Sequence, residues 1–357
     1  MGNTIAGALC LFALLLVFCP ARPIFAATVD ESFSMEFFPP APEAGLANGE
    51  RWTIYLNGQI DEGAAERFRE ELARREIPSA SVYLNSRGGV LGQGMELGTL
   101  LRERGYSTYV GSQNDRGSNP LPGDCYSACV FAFIGGTYRF YTSRSRIGVH
   151  RFSAMSPADS DADSAQIVSA AIVNYIRKME VDVGLFDRMA RAAKEEILVL
   201  TEADLERLRV INQGRQPAEW TIESRDGATY LKGTQQTWRG PGAILLSCNE
   251  GQVVFHALFD AGDRALAVRD SAEQHLMKSG DGYMPLANPL RPIDIQDGQV
   301  SAEFVLTREQ INRLQASSSL GYAARLGYPN VFAGFSVDTP GQSKEKISSF
   351  LKSCERS

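Results

Sequence analysis

Leu84-Asn85-Ser86-Arg87-Gly88-Gly89 runs from an apolar strand end into a double glycine, and Cys125-Tyr126-Ser127-Ala128-Cys129 follows it, with Ile147-Gly148-Val149-His150 further on. The order is glycine turn, serine, histidine. A hydroxyl needs a nearby base to become a nucleophile, and the chain has only 3 histidines to supply one. A double glycine after a strand leaves a backbone N–H free to face an oxyanion. The three stretches therefore read as parts of one site.

Outward from that site the pattern is regular. Trp52-Thr53-Ile54-Tyr55-Leu56-Asn57-Gly58 predicts a strand, and Glu62 to Arg75 a helix with Ala65, Phe68 and Leu72 on one face. Ser81 to Leu84 is a second strand, Gly92 to Arg104 a helix carrying Met95, Leu97, Leu100 and Leu101, and Tyr106 to Val110 a third strand. Strand and helix alternate, which argues for parallel β-α units. A loop from Gln113 to Asp124 delivers the chain to Cys125, and Ser127 opens a small-residue helix, Ala128 to Ile134, that stops at Gly135-Gly136. Serine is also an ordinary helix N-cap; His150 downstream tips the balance toward a nucleophile. Ala165 to Met179 and Phe186 to Ala193 predict helices, Ile197 to Leu200 a short strand, and Thr201-Glu202-Ala203-Asp204 a capped helix start. Asp159, Asp161 and Asp163 lack the glycine and closing glutamate of a calcium loop and read as a solvated turn.

From Gln216 the texture changes to strands joined by Asp-Gly and Gly turns, with helices at Arg308 to Gln315 and Ser343 to Lys352. No catalytic constellation stands out there. His256 alternates with apolar neighbours as a half-buried strand residue, and His275 reads as an exposed helix residue.

The 357 residues, 44% hydrophobic and 22% charged, suffice for two domains with their own cores. A net charge of −6 and no run of Lys and Arg exclude a surface that tracks a phosphate backbone, so nucleic acid is not an expected partner. Residues 1–27 read as a signal peptide: Ile5 to Cys19 is an apolar run, broken at Pro20, with cleavage after Ala26 or Ala27. The expected location is periplasmic or secreted, an uncleaved membrane anchor being the alternative, since Met1-Gly2-Asn3-Thr4 carries no Lys or Arg. Residues 28–50, rich in Pro and acidic side chains, read as an extended arm. Past the leader four cysteines remain for an oxidising compartment, and the expected disulfides are Cys248 to Cys354 and, locally, Cys125 to Cys129. Their spacing fits no zinc site, and no cofactor is expected.

Residues 52 to about 212 resemble the Clp protease proteolytic subunit and its wider ClpP/crotonase-fold superfamily, in particular exported members with a Cys-x-Ser-Ala-Cys element. The family has an Asn-Ser-Pro-Gly-Gly turn where this chain has Asn85-Ser86-Arg87-Gly88-Gly89. Its nucleophile falls on Tyr126-Ser127-Ala128, and its Ile-His-Gln on Val149-His150-Arg151. Leu200-Thr201-Glu202-Ala203-Asp204 resembles its Met-Ser-x-x-Glu element. The resemblance implies an α/β fold with a ClpP/crotonase-like ββα superhelix over residues 51–215, and the change of texture from Gln216 makes residues 216–357 a smaller β-rich α+β domain. It implies Ser127 as nucleophile, His150 as general base, and the backbone N–H groups of Gly89 and Ala128 as oxyanion hole. The family's aspartate falls on Ile197, so Glu196, displaced by one residue, is the candidate orienter. The implied activity is that of an exported serine hydrolase, an ATP-independent peptidase acting on peptides or unfolded protein through an acyl-enzyme. No ATPase partner is expected outside the cytoplasm, and the resemblance leaves room for a homo-oligomer. The alternative is a catalytically silent ClpP-fold binding or assembly protein, which the missing aspartate favours and the retained Ser, His and Gly-Gly oppose.

Overall fold

The structure, a computed structural model, describes residues 32–40, 51–114, 119–152, 162–193, 196–225, 227–327 and 331–354. The expected leader, most of the expected arm and the acidic turn at Asp159 and Asp161 lie outside the described residues. Among the described residues no helix is long and apolar enough to cross a membrane.

The alternation seen in the sequence produces β1 (Ser34–Phe38), β2 (Trp52–Asn57), α1 (Ala64–Arg75), β3 (Ala80–Asn85), α2 (Leu91–Glu103), β4 (Ser107–Val110), β5 (Asp124–Tyr126), α3 (Ala128–Ile134), β6 (Tyr138–Phe140) and β7 (Arg146–Val149). A five-stranded sheet has the order β1-β2-β3-β4-β6, parallel from β2 onward. The segment read as an arm differs from expectation: Ser34–Phe38 pairs antiparallel with β2 as an edge strand. Side chains alternate across the sheet. Ile54, Leu56, Val82, Leu84 and Val110 enter a core shared with Phe68 and Leu72 of α1 and Leu97 and Leu101 of α2. Tyr55, Tyr83, Tyr109 and Phe140 are register partners on the other face. Their rings stack at centroid distances of 5.1, 4.7 and 4.7 Å. Burial among these neighbours pushes the Tyr83 phenol well above its ordinary pKa.

Helix α3 is buried along its whole length, as expected of a helix that is apolar on every side. Glycines on α2 admit it: a Cβ on Gly94 would stand 2.3 Å from the Ala128 carbonyl oxygen, and one on Gly98 2.4 Å from that of Phe131. At the far end of α3, Arg102 donates to the carbonyls of Ile134, Gly135 and Gly136 at 3.3, 3.0 and 3.2 Å. Arg139 donates to Gly136 at 3.0 Å and also to Val210 and Arg209. Cations there complement the negative end of the helix, and burial lowers the Arg139 pKa to about 9. The helix that carries Ser127 at its start is thus held at both ends.

The chain continues through α4 (Ala162–Lys178), α5 (Gly184–Arg191), β8 (Leu198–Val199) and α6 (Glu202–Arg207), close to the predicted elements. Thr201 caps α6, its hydroxyl accepting from the Asp204 N–H. A small sheet of order β5-β7-β8 sits at the site, β7 running parallel to β5 and antiparallel to β8.

The remainder comprises β9 (Glu219–Arg225), β10 (Ala228–Thr237), β11 (Gly240–Asn249), β12 (Gln252–Asp260), α7 (Ala265–Asp270), β13 (Gln274–Ser279), β14 (Gly282–Pro285), β15 (Asp294–Gln296), β16 (Gln299–Val305), α8 (Arg308–Ala316), β17 (Ser319–Leu326), β18 (Val331–Asp338) and α9 (Gly341–Cys354). Two antiparallel sheets, β15-β16-β12-β11-β10-β9 and β14-β13-β17-β18, enclose a second core that runs from Trp220 to Cys354. Hydrogen bonds from Tyr138 to Thr237 (2.9 Å) and from Gln216 to Thr137 (2.6 Å) join it to the first. Phe140 meets Trp238 edge-on at 6.1 Å.

His275 corrects an expectation. It lies half-buried on strand β13, not on an exposed helix, with Nδ1 2.7 Å from the Tyr322 hydroxyl and its ring against Phe304. That partner is 47 positions away, beyond the reach of local periodicity. His256 is half-buried on β12 as expected, with Nε2 2.8 Å from Ser301 Oγ. Burial holds both rings below their ordinary pKa of 6.5, Glu303 opposing the effect at His256. Below that value the unfolded chain takes up protons that the folded chain refuses, so stability present above it is lost as pH falls through the depressed values. The melting temperature is expected to drop on acidification from pH 6.5, more steeply in the wild type than in a His256→Gln/His275→Gln variant. Parallel profiles for the two proteins would refute this.

Candidate active site

Ser127 occupies the elbow between β5 and α3 with φ 55° and ψ −121°. Residues with a Cβ rarely adopt this backbone region, and it persists only where the surroundings over-determine it. A sharp strand-to-helix elbow pushes the side chain out at its apex. The local hydrogen bonds show how the elbow is held. Ser86 N–H donates to the Asp124 carbonyl at 2.7 Å, Tyr126 N–H to the Ser86 carbonyl at 3.0 Å and Ser127 N–H to the Gly148 carbonyl at 3.1 Å. Strand β5 is thereby threaded between the end of β3 and β7. Ser127 does not cap its helix. Its hydroxyl lies 2.8 Å from His150 Nε2.

His150 follows β7 directly, and its Nδ1 stands 2.8 Å from the Arg151 carbonyl oxygen. A carbonyl only accepts, so Nδ1 carries the proton and Nε2 presents its lone pair to the serine O–H. That is the tautomer a general base requires. Arg151 is itself anchored, its Nε donating to the Ala190 carbonyl of α5 at 3.1 Å.

Gly89 has φ 142° and bridges Ile60 in parallel fashion. Ile60 N–H donates to Gly88 and Val90 N–H to Ile60, both at 2.8 Å. In a parallel ladder the residue between those two bonds turns its own N–H to the opposite side. The preceding glycine lies directly on Ser127: a Cβ on Gly88 would be 2.7 Å from Ser127 Cβ and 3.0 Å from the Ala128 nitrogen. Neither Gly89 N–H nor Ala128 N–H meets an acceptor among the described residues. Gly89, Ser127 and His150 share one cavity of about 180 Å³, walled by Leu91, Phe131, Val149, Phe152 and Met189.

Glu196 is not brought to this group. It is exposed, and no hydrogen bond or ion pair joins it to His150. The register pairs Gly148 with Val199 and Val149 with Leu198. Continued by one step that register sets Ile197 opposite His150, and Glu196 lies in the bend before β8. Ile197 packs on Gly148, where a Cβ would come within 2.5 Å of its side chain. Hydrocarbon thus stands where an orienting carboxylate was sought. The Arg151 carbonyl that contacts Nδ1 had no signal in the sequence, because a backbone group carries no residue signature.

Both expected disulfide pairs are at bonding distance. Cys125 and Cys129 span the elbow with Cα atoms 5.2 Å apart, and Cys248 of β11 joins Cys354 of α9 with Cα atoms 5.5 Å apart. Among the described residues no group of three His, Cys, Asp or Glu side chains is placed to hold a metal.

No family model and no curated protein matches the chain. Among solved structures, a mutant of the 1510-N membrane-bound stomatin-specific protease is similar over 45% of this chain and 75% of its own, at 15% identity and TM-score 0.32. ClpP1 from Listeria monocytogenes is similar over 47% of this chain and 89% of its own, at 15% identity and TM-score 0.34. A second mutant of the 1510-N protease, in complex with a substrate peptide, is similar over 45% and 71%, at 16% identity and TM-score 0.33. Likenesses this distant carry no argument about activity, which has to come from the residues of this chain.

Proposed function

We propose that the protein is an exported, ATP-independent serine hydrolase of ClpP-like fold that acts on peptides or unfolded protein. Residues 51–215 form its catalytic domain and 216–357 a separate β-rich domain. The observation that carries this reading is the dyad: Ser127 Oγ at 2.8 Å from His150 Nε2, with Nδ1 engaged by a carbonyl. Ser127 Oγ attacks the substrate carbonyl carbon and gives its proton to Nε2, while the oxygen that becomes an oxyanion accepts from the N–H groups of Gly89 and Ala128. Collapse breaks the bond to the leaving amine, which takes the proton from Nε2. Water, deprotonated by the same nitrogen, then releases the acyl group and restores Ser127. The cavity beside the dyad has apolar walls, which suits an acyl group with an uncharged side chain. Two disulfides and an apolar N-terminal run suit a protein made for an oxidising compartment.

The Arg151 carbonyl fixes the tautomer but supplies only a dipole to the imidazolium, where a carboxylate would supply a full charge. Turnover slower than that of a complete triad follows. The same feature favours the second reading, a catalytically silent binding protein. Labelling with a fluorophosphonate separates the two. A covalent adduct on the peptide holding Ser127, absent from Ser127→Ala, is expected; a protein that takes up no label at Ser127 would be the silent one.

A further inference from the structure

The elbow carries a covalent bridge that the chemistry above does not use. Cys125 lies in β5 and Cys129 in the first turn of α3, so the bond spans Tyr126, Ser127 and Ala128. Within that span lie the strained backbone of Ser127 and the unbonded N–H of Ala128. Backbone bonds to Ser86 and Gly148 hold the incoming side, the packed helix holds the outgoing side, and the disulfide fixes the distance between them.

We propose that the Cys125–Cys129 disulfide is a positioning brace that keeps Ser127 Oγ on His150 and Ala128 N–H turned to the oxyanion. Its effect on rate rests on the hydrolase chemistry proposed above; the positioning of Ser127 on His150 does not. Two other roles fit less well. A redox switch needs a thiolate to reach a sulfur, and both cysteines are 0% exposed. A staple for the fold gains its effect by closing a long loop; here the separation is 4 residues, against 106 for Cys248–Cys354. The two bridges should therefore have opposite signatures.

The test compares full-length wild type, Cys125→Ala/Cys129→Ala and Cys248→Ala/Cys354→Ala. Three quantities are read: fluorophosphonate labelling rate, kcat and KM on an apolar acyl ester, and melting temperature. Removal of the 125–129 bridge is expected to slow labelling and kcat by about 10–100-fold with KM unchanged, as a nucleophile displaced by a fraction of an ångström would. Its melting temperature should fall less than that of the Cys248→Ala/Cys354→Ala variant, which should keep its labelling rate at temperatures where it is folded. Wild-type labelling in Cys125→Ala/Cys129→Ala would overturn the brace and leave the hydrolase reading standing. Loss of rate only in step with loss of folded protein would overturn it too. Nitrogen-15 NMR of the His150 ring provides a readout apart from activity: the Ser127 hydrogen bond at Nε2 should be present in wild type and lost without the 125–129 bridge. A wild type that never labels would sink the hydrolase reading. The brace then stands if this NMR signal is lost with the bridge, and falls if the signal is unchanged.

Discussion

His150→Ala is expected to slow acylation of Ser127 by about 10²–10⁴-fold, the range that a positioned general base supplies, with little change in melting temperature. The ring is partly exposed beyond the end of β7, and its hydrogen-bond partners are the Ser127 hydroxyl and the Arg151 carbonyl. Its loss leaves no cavity in the core. What is lost is the acceptor for the serine proton, so attack must proceed from a neutral hydroxyl whose proton has only water to go to. His150→Gln can hydrogen-bond Ser127 without acting as a base, and it should be as slow as the alanine variant. In the proposed mechanism serine and histidine act as one unit, and Ser127→Ala/His150→Ala should therefore hydrolyse no more slowly than Ser127→Ala alone. Rates would be followed by fluorophosphonate labelling and by ester hydrolysis. A His150→Ala protein that labels at the wild-type rate would remove His150 from the mechanism.

The largest effect on stability is expected from Cys248→Ala/Cys354→Ala. The bond joins β11 to the last turn of α9 across a separation of 106 residues. In the chain-entropy account a loop of that length is worth about 4–5 kcal/mol, or a fall in melting temperature of about 10–20 °C for a domain of this size. The helix it fastens also buries Ile347, Phe350 and Leu351 in the second core, so packing and the bond act together on α9. Calorimetry of wild type with and without reductant, beside the variant, reads the effect. Equal transitions in all three would show that packing alone holds α9.

Much of the half that holds Ser127 and His150 was legible because its signals are local. Period-2 and period-3.6 spacing placed the strands and helices from Trp52 to Arg104, and the order Gly-Gly, Ser, His brought together residues that share one cavity. The misreadings fall where a long-range fact decides. Glu196 and Ile197 are adjacent in sequence, yet it is Ile197 whose side chain meets Gly148 once β8 takes its register on β7, and single-sequence spacing does not reveal that register. The Ser34–Phe38 strand depends on an antiparallel partner at the sheet edge. His275 depends on Tyr322 and Phe304, both far along the chain. The positive φ of Ser127 was also invisible, since any residue type can be written at a position where the fold tolerates strain.

The stack Tyr55, Tyr83, Tyr109 and Phe140, ending against Trp238, has an optical consequence. Rings locked face to face in a chiral setting give near-ultraviolet circular dichroism that vanishes when fixed packing is lost. Tyrosines of the first sheet lie within energy-transfer range of an indole that follows β10 of the second core. In a Trp52→Phe/Trp220→Phe variant, emission from Trp238 excited through tyrosine therefore follows the seam between the two cores, a chromophore of the protein's own for watching that seam open.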